Sequence, residues 1–338
     1  MSKWIIYVTA LDNIMKSRNN IMKPSNQWAP IILFVYNRIE CTRKTLKALE
    51  ENELAKESEL YIFSDGAKYK QDIHRVEEVR NYVEKYSEQS LFRKTTIIKA
   101  TRNKGLASSV IEGVTDIIES FGKVIVLEDD CVTTKDFLRY MNEALDFYET
   151  KDKIWSVTGY TSQLPKLKDY SKDIYLSYRA SSLGWGTWKD RWETVDWRVS
   201  DYKSFRFNIK KRRKFARGGN GLFSMLKAQM NGKIDSWAIR WCYAQSMQDK
   251  YTVYPRLSYL CNIGFEEGVH STPEMENKYR TILSDGNYLC KFEDIDLDEE
   301  LMREMNNLWN LNLRSRIAGF IQLEIRTLRK KISKHQEI

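Results

Sequence analysis

The sequence predicts an α/β fold with a mostly parallel central sheet flanked by helices. Three observations lead to this prediction. Apolar runs with the length of buried strands alternate four times with amphipathic helical patterns in the first 150 residues. The content of 42% apolar and 12% aromatic residues is typical of a folded globule. A length of 338 residues is enough for one large domain or two modest ones.

The first half of the chain carries the strand–helix alternation. Residues 1–28 have no clear period and are predicted to be an extension. The runs expected to form buried strands are residues 29–36, 60–63, 95–100 and 124–127. The helices expected after them are residues 40–51, 72–86, 107–121 and 136–148. Each strand followed by a helix is a unit of a parallel sheet, which sets the fold class.

The second half is more irregular. Strands are expected at residues 154–159, 174–180 and 252–255, and a basic, helix-like segment at 202–217. Acid-rich residues 293–304 are typical of a solvated segment, and residues 313–332 of a basic amphipathic helix. These changes divide the chain into an extension, two halves and a C-terminal helical tail, at residues 1–28, 29–150, 151–300 and 301–338.

Composition and motif absences exclude several classes of protein. The five cysteines are scattered and form no CxxC pair, which argues against a disulfide framework and a zinc module. The sequence contains neither a GxGxxG motif nor a Walker A motif, which argues against a dinucleotide dehydrogenase and a P-loop enzyme. No apolar run approaches the roughly 20 residues of a membrane-spanning helix, so we expect a cytoplasmic protein. The net charge of +9 suits polyanions: nucleic acid, an anionic membrane or phosphate-bearing substrates.

Polar side chains follow each of the first four predicted strands. They are Asn37 and Arg38, Ser64 and Asp65, Asn103 and Lys104, and Glu128, Asp129 and Asp130. Because ligands bind beyond the carboxyl ends of parallel strands, we expect these side chains to meet at one edge of the sheet. Cations suit phosphate, and carboxylates suit ribose hydroxyls or a divalent cation. The sequence therefore predicts a site for a nucleoside diphosphate; a solvated turn is the alternative for the three acids alone.

Three features of the second half are further candidates for this site. The stretch SSLGWGTWKDRW at 181–192 contains Gly184, Trp185 and Gly186, which offer either a mobile backbone and flat rings for sugars or a structural turn. Asp235 precedes an apolar helix, where it can be an N-cap or a carboxylate base. His270 lies in a glycine-bearing stretch and is a candidate contact for metal or phosphate.

Seven short motifs occur in a fixed order between residues 30 and 271. They are FVYNR, FSDG, NKGL, VLEDD, LGWGTW, DSW and GVH. In this order they resemble the motifs of the GT-A glycosyltransferases, above all the N-acetylglucosaminyltransferase I type and its bacterial sugar-transferase relatives. The resemblance implies a GT-A, Rossmann-like fold. It also implies that residues 29–150 bind the nucleotide sugar and residues 151–300 bind the acceptor and carry the catalytic base.

The resemblance further implies a role for each candidate residue. The positions matching those that hold or frame the nucleotide, commonly uridine, are Arg38, Asp65, Asn103 and Lys104. In the acidic signature, Glu128 and Asp129 match contacts to ribose and donor sugar, and Asp130 matches the ligand of Mn²⁺ or Mg²⁺. The glycine loop near the acceptor is matched by Gly184, Trp185 and Gly186. Asp235 matches the catalytic base, and His270 matches a late histidine that we assign to the metal.

The implied function is metal-dependent transfer of a sugar from a nucleoside-diphosphate donor, commonly UDP-linked. The implied acceptor is a saccharide or a lipid-linked glycan, in bacterial surface polysaccharide synthesis. One base without a second carboxylate nucleophile implies a single displacement with inversion. One departure from the family concerns this base: the acid pair before the tryptophan of the eukaryotic enzymes is Asp235-Ser236 here.

Two other functions remain open at this point. A sugar nucleotidyltransferase uses a related sheet and the same kind of metal, although FVYNRIE lacks the expected signature loop. A non-enzymatic nucleic-acid binder is suggested by the positive charge alone, and no nucleic-acid partner is expected for the enzyme. The basic C-terminal helix suits the inner face of an anionic membrane or a protein partner, or it packs onto the globule.

Overall fold

The computed structural model describes residues 28–264, 279 and 281–310. Three expectations concern residues outside these ranges. They are the N-terminal extension, His270 and the basic amphipathic helix at 313–332. None of the described helices is both long enough and apolar enough to cross a membrane.

An eight-stranded mixed sheet forms the centre of the fold. Its strands are β1 (Ile31–Val35), β2 (Glu59–Ser64), β3 (Lys94–Lys99), β4 (Lys123–Glu128), β6 (Ile154–Thr158), β7 (Ile174–Ser177), β8 (Trp185–Trp188) and β9 (Tyr251–Pro255). Strands β5 (Cys131–Thr133) and β10 (Leu260–Asn262) form a separate antiparallel pair. The strand order in the large sheet is β3-β2-β1-β4-β8-β6-β9-β7. The pairs β1–β2, β1–β4, β2–β3 and β6–β9 are parallel, and the other neighbouring pairs are antiparallel.

Helices cover both faces of this sheet. In chain order they are α1 (Ile39–Glu50), α2 (Ile73–Gln89), α3 (Leu106–Phe121), α4 (Phe137–Tyr148), α5 (Lys189–Trp192), α6 (Tyr202–Phe205), α7 (Ile209–Phe215), α8 (Leu222–Met230), α9 (Trp237–Met247) and α10 (Glu299–Trp309). Helices α1, α2 and α4 contribute to one apolar cluster, and α3, α7, α8 and α9 to a second. Strand β1 is buried along its whole length, and its side chains alternate between the two clusters.

This architecture confirms the predicted fold class. The central sheet is mostly parallel, helices flank both of its faces, and the arrangement is consistent with a Rossmann-like GT-A fold. The observed strands and helices of the first half fall within a few residues of their expected positions. The basic segment at 202–217 differs from its expectation, because it forms two short helices, α6 and α7, rather than one.

Two boundaries expected from the sequence do not coincide with breaks in the structure. The halves 29–150 and 151–300 share one sheet, because β4 of the first half pairs with β8 of the second. Helix α10 crosses the expected boundary at residue 301. Its exposed glutamates made this stretch look fully solvated, whereas Leu301 and Met305 are buried in a third apolar cluster.

The order of the strands creates a crevice beside β1. The chain adds β2 and β3 on one side of β1 and then crosses to place β4 on the other side. Ligands of open α/β sheets bind at such a reversal, outside the carboxyl ends of the strands. The residues that follow β1 and β4 include Arg38 and the three acids at 128–130. Topology alone therefore brings these charged groups to one edge.

Candidate functional site

A cavity of about 390 Å³ lies at the carboxyl ends of β1, β2 and β4, beside the start of α3. The predicted site residues that line it are Arg38, Asp65, Asn103, Glu128, Asp129 and Asp235. Part of its wall is apolar, because Phe34, Phe63 and Leu106 also face it. The cavity thus combines a surface suited to a flat ring with charged groups suited to phosphate and hydroxyls.

Arg38 joins the loop after β1 to the acids after β4. Its guanidinium forms an ion pair with Asp129, and its Nη1 lies 3.0 Å from Oδ2 of Asp130. Both aspartates are nearly inaccessible, with 3% and 8% of their surface exposed. Burial acts to lower the pKa of Arg38, but the two carboxylates outweigh it and raise that pKa above its usual range. Arg38 therefore remains a cation at any physiological pH.

The acids carry more negative charge than Arg38 neutralises. Burial raises the pKa of Glu128 to about 8, and repulsion by Asp130 and Asp129 adds to this effect. Burial also raises the pKa of Asp129 to about 6, against the opposing effect of Arg38. One oxygen of Asp129, Oδ2, is buried without a hydrogen-bond partner. An orphaned carboxylate oxygen in such a cluster fits a missing cation or donor group.

The donor set of this cluster fits Mg²⁺ or Mn²⁺. Both ions prefer oxygen ligands, and the acids at 128–130 supply only oxygen. In the part of the chain that the structure describes, no three acidic, histidine or cysteine side chains are grouped as a complete metal site. A shell of one or two carboxylates completed by phosphate oxygens and water is the usual arrangement for Mg²⁺ at a nucleotide. The residues present fit that arrangement.

Asp130 contacts the chain that follows β10. The backbone N–H of Ile263 donates to the carbonyl oxygen of Asp130 at 2.9 Å, which ties the acids to the chain after β10. Asp130 is not among the residues that line the cavity, but its ion pair with Arg38 places it directly beside them. His270 lies outside the described residues, so its assignment to the metal remains a prediction.

Asp65 holds the loops after β2 and β3 together. Its carboxylate accepts hydrogen bonds from the backbone N–H groups of Gly66, Lys104 and Gly105, at 2.8 to 3.0 Å, and from the side-chain amide of Asn103 at 3.0 Å. Asn103 donates a second bond to the carbonyl oxygen of Gly66 at 2.8 Å. Both residues line the cavity, and both shape its wall through this network.

Replacing Asp65 by asparagine should loosen this wall. The new amide would place a donor where four donors now converge, leaving at least one N–H without a partner. We expect a loss of about 1–3 kcal/mol of unfolding free energy together with weaker nucleotide binding. Denaturant unfolding and nucleotide titration measure the two effects. Asp169→Asn, at an exposed position on another loop, is the matched control, and equal behaviour of the two variants would contradict this role.

Asp235 reaches the cavity from the second half of the chain. It is exposed, and its Oδ2 accepts a hydrogen bond from the backbone N–H of Ala107, in the first turn of α3, at 3.2 Å. The approach depends on Gly105, because a Cβ at that position would lie 2.7 Å from the same oxygen. The N-cap of α9 is Ser236, whose hydroxyl accepts from Ile239. Asp235 therefore leaves an accessible carboxylate at the cavity rather than capping its own helix.

Lys104 does not point its charge into the cavity. Its ammonium group lies 2.6 Å from Glu112 on the outer side of α3, and only its backbone N–H contributes to the Asp65 network. Lys68, which sequence reasoning overlooked, lines the cavity instead. Lys68 follows the SDG turn, and no periodicity marks its direction. The cation expected beside Asn103 is thus supplied from the loop after β2.

The predicted glycine–tryptophan loop is part of the sheet. Gly184 immediately precedes β8, and Trp185 and Gly186 belong to it, paired with β4. Trp185 is 1% exposed and stacks on Trp237 with ring centroids 4.9 Å apart. The expectation of a loop is wrong for Trp185 and Gly186, which lie in a strand, and a row of tryptophans from β6, β8 and α9 buries the ring of Trp185. The stretch therefore has a structural role, as a strand and not as the turn that was the alternative.

Trp185→Ala should therefore act mainly on stability. Removing a large, fully buried aromatic side chain costs about 3–5 kcal/mol of unfolding free energy. Thermal or denaturant unfolding measures the loss. Leu289→Ala, at a side chain that is 75% exposed, is the control and should cost almost nothing. Unchanged stability with lost activity would instead indicate a direct contact between Trp185 and a substrate.

Further residues at the cavity escaped prediction from the sequence. The hydroxyl of Ser109, on α3, lines it and is buried without a hydrogen-bond partner. Tyr36 lines it beside Arg38, and its hydroxyl donates to Asp72 at 3.1 Å. Arg80 lies behind the wall and donates to the carbonyl oxygens of Asp65 and Ala100, which fixes the ends of β2 and β3. Apolar periodicity marks helix faces but does not identify the polar residues that face a cavity.

A second, smaller cavity of about 130 Å³ lies on another side of helix α9. Ala238 and Cys242 of that helix line it, only a few residues beyond Asp235. Other walls come from hydroxyl and aromatic side chains, among them Tyr160, Ser162, Ser181, Tyr279 and Trp309. The pKa of Tyr279 is raised above its usual value, mainly by burial. Arg179 opposes this shift, and the charges of Glu128 and Asp130 add to it. Tyr279 is thus within electrostatic reach of both the acids and Arg179.

Arg179 is the charged residue of this second cavity. Among the described residues that line the cavity, no other side chain is ionised at neutral pH. Its guanidinium lies over the ring of Trp309, 4.5 Å from the centroid, and donates to the carbonyl oxygen of Gly218 at 3.2 Å. It has no carboxylate partner among the described residues. A half-buried cation beside hydroxyl groups suits an anionic group of a ligand.

No protein-family model and no curated protein matches this sequence. Among solved structures, the chain is similar to TarS of S. aureus, at 15% identity and a TM-score of 0.29, over 38% of this chain and 21% of that one. It is similar to a UDP-glucose pyrophosphorylase complexed with UDP-glucose, at 12% identity and a TM-score of 0.32, over 67% and 90%. It is also similar to the glycosyltransferase GlyE of Streptococcus pneumoniae TIGR4, at 9% identity and a TM-score of 0.33, over 67% and 44%.

The matched part of this chain spans about a fifth of TarS and less than half of GlyE. Superpositions with TM-scores this low carry no weight for function.

Proposed function

We propose that this protein is a glycosyltransferase that uses a nucleoside-diphosphate sugar, commonly a UDP sugar, as its donor. The observation that carries the proposal is the meeting of Arg38, the acids at 128–130 and Asp235 at one cavity. A solvated turn would not keep Asp129 and Asp130 buried against a single arginine. Nucleic-acid binding would not explain why carboxylates gather at the strand ends.

The nucleotide would occupy the part of the cavity formed by the loops after β1, β2 and β3. A flat base fits against the apolar wall of Phe34 and Phe63, and the Asp65–Asn103 network holds the wall in place. The hydroxyl of Ser109 offers an unused hydrogen bond. Lys68 and Arg38 supply positive charge for a diphosphate. Uridine is the nucleoside expected from the family resemblance described above.

Asp130 is the residue that would hold Mg²⁺ or Mn²⁺, beside the unpaired Oδ2 of Asp129. When bound, the ion would neutralise charge on the diphosphate leaving group. Arg38 would donate hydrogen bonds to the same phosphates, a role for which its permanent charge suits it. Glu128 lines the cavity and is available to accept a hydrogen bond from a hydroxyl group of the ribose or the sugar.

Asp235 would act as the catalytic base. An acceptor hydroxyl that attacks the anomeric carbon must lose its proton, and the exposed carboxylate of Asp235 can take it. The hydrogen bond from Ala107 fixes the orientation of this carboxylate. Since the base serves the acceptor and no carboxylate is proposed as a nucleophile, the reaction is a single displacement with inversion. Ser236 does not replace the missing second acid of the family, because it caps α9.

The second cavity is suited to part of the acceptor. Its volume of about 130 Å³ is well below the roughly 300–1,000 Å³ of pockets that enclose a whole drug-sized ligand. It would therefore take one ring or one substituent of a saccharide or lipid-linked glycan. Arg179 favours a substituent that carries a carboxylate or a phosphate.

Arg179→Met should reduce the use of anionic acceptors selectively. Loss of one charged hydrogen bond should lower kcat/KM for an acceptor bearing a carboxylate or phosphate on the order of 10–100-fold, with little change for a neutral acceptor. Transfer assays with paired acceptors measure this difference. Arg217→Met removes another arginine stacked on an aromatic ring, 4.1 Å from the centroid of Tyr178, and is the control. Equal losses of kcat/KM for both acceptor types would rule out recognition of the acceptor's negative charge by Arg179.

Donor identification tests the proposed function itself. A panel of nucleotide sugars is screened for thermal stabilisation with and without Mn²⁺, because ligands that bind the native state raise its melting temperature. The stabilising donor is then incubated with candidate acceptors. Release of nucleoside diphosphate supports a glycosyltransferase. Formation or consumption of pyrophosphate would identify a sugar nucleotidyltransferase and overturn the proposal.

A further inference from the structure

The basic segment around α7 carries two exposed apolar side chains that the proposed reaction does not use. Phe207 is 74% exposed and Ile209 is 64% exposed, on either side of Asn208. Between residues 203 and 217 the chain has eight lysines and arginines and no acid. A merely solvated basic face needs no exposed phenylalanine or isoleucine. The combination of apolar and basic groups requires a different explanation.

Most cations of this segment form no ion pair with a described residue, although Arg206 and Arg212 lie over the rings of Phe207 and Phe223. Lys211, Lys214 and Arg217 form ion pairs with Asp201 or Asp249. The structure gives no ion pair to the remaining cations of the segment, which are Lys203, Arg206, Lys210, Arg212 and Arg213. We define Phe207, Ile209 and these five cations as the basic-apolar face. Its uncompensated positive charge is complementary to an anionic surface.

The basic-apolar face is anchored firmly to the globule. Phe205 and Phe215, at its two ends, are 0% and 1% exposed and pack on Tyr243 of α9. Lys214 donates to the carbonyl oxygen of Met247 at 3.0 Å, at the end of the same helix. The exposed apolar side chains of the basic-apolar face are therefore held by a segment that packs on helix α9. Helix α9 begins immediately after Asp235 and Ser236, so one helix connects the face to the candidate base.

We propose that the basic-apolar face binds the surface of an anionic lipid membrane. Phe207 and Ile209 would enter the boundary between headgroups and acyl chains, and the five cations would contact the headgroups. Nucleic acid would explain the cations but gives no reason for two exposed apolar side chains beside them. Binding at this face is independent of the donor and the catalytic residues, and it would hold the enzyme where a lipid-linked acceptor resides.

Vesicle flotation of the full chain tests the proposal. Wild-type protein should float with vesicles of phosphatidylcholine and phosphatidylglycerol and not with phosphatidylcholine alone. Lys210→Glu combined with Arg213→Glu should lower the partition coefficient by at least about tenfold, because each basic residue near the surface contributes about 1 kcal/mol. Phe207→Ser combined with Ile209→Ser should also lower it on the order of tenfold. Lys85→Glu combined with Lys94→Glu, at exposed positions elsewhere, is the charge control.

Each outcome has a fixed meaning. Weaker binding to anionic vesicles in both variants of the basic-apolar face, with the charge control unaffected, supports the proposal. Equal binding of wild type and variants, equal binding to neutral vesicles, or no binding to anionic vesicles overturns it. Loss in the charge-reversal variant alone, together with binding to duplex DNA that tolerates the serine variant, would identify a polyanion site instead. Nucleotide-sugar turnover with a soluble acceptor should stay unchanged in every variant, which separates this test from that of the proposed function.

Discussion

Replacing Asp235 by asparagine is expected to lower the rate of sugar transfer on the order of 10²–10⁴-fold, because a positioned general base contributes about that factor. Donor binding should stay close to that of the wild type. Asparagine keeps an oxygen that can accept from Ala107, so the start of α3 should retain its contact with this loop. Single-turnover transfer and nucleotide titration on the same preparation measure both quantities.

The matched control for Asp235 is its neighbour. Ser236→Ala removes the hydroxyl that caps α9 and should cost about 1 kcal/mol of unfolding free energy, with a small effect on transfer. A large rate loss in Ser236→Ala, or near-normal turnover in Asp235→Asn, would assign the role of Asp235 to positioning the loop. If Asp235→Asn weakened donor binding by the same factor as it lowered the transfer rate, the conclusion would be the same.

Replacing Asp130 by alanine should abolish the metal dependence of donor binding and lower the transfer rate on the order of 10²-fold or more. A bound divalent ion stabilises developing charge by several kcal/mol, and Asp130 is its expected protein ligand. Wild-type protein should bind a nucleotide sugar more tightly with Mn²⁺ than with EDTA. In Asp130→Ala the two affinities should be equal. Calorimetric titrations under both conditions give the comparison.

Loss of the ion pair with Arg38 is the main complication in the Asp130 variant. The variant Asp130→Asn keeps the shape and one oxygen of the side chain, and it serves as a second probe. If both variants lose metal-stimulated binding while their melting temperatures without donor stay near that of the wild type, the effect lies in the ion site. Retained stimulation by Mn²⁺ in either variant would reject Asp130 as the ligand.

Most of the fold, and part of the site, were predictable from the sequence. Strands β1 and β4 are continuous apolar runs because they are buried on both faces, so their ends and the polar residues that follow them can be read directly. The topological rule for parallel sheets then brings Arg38 and the acids together. Predicting this part of the site requires only the apolar periodicity of the strands and the order in which they are connected.

The rest depends on contacts between distant segments. Asp235 meets Ala107 across 128 positions of the chain, and no local pattern specifies that pair. Trp185 was ambiguous because glycine and tryptophan occur both in binding loops and in packed strands; its stack on Trp237 decides between them. Lys68 lines the cavity and Lys104 does not, because the direction of a lysine side chain in a loop follows from its partner, which for Lys104 is Glu112.

The most direct measurement for the central claim is a crystal structure of the protein with UDP and Mn²⁺. The account predicts that the diphosphate contacts Arg38, that the metal is bound by Asp130, and that the uracil ring lies against the wall formed by Phe34 and Phe63. Nucleotide bound elsewhere, or a diphosphate remote from Arg38 with no ion at the acids, would contradict it.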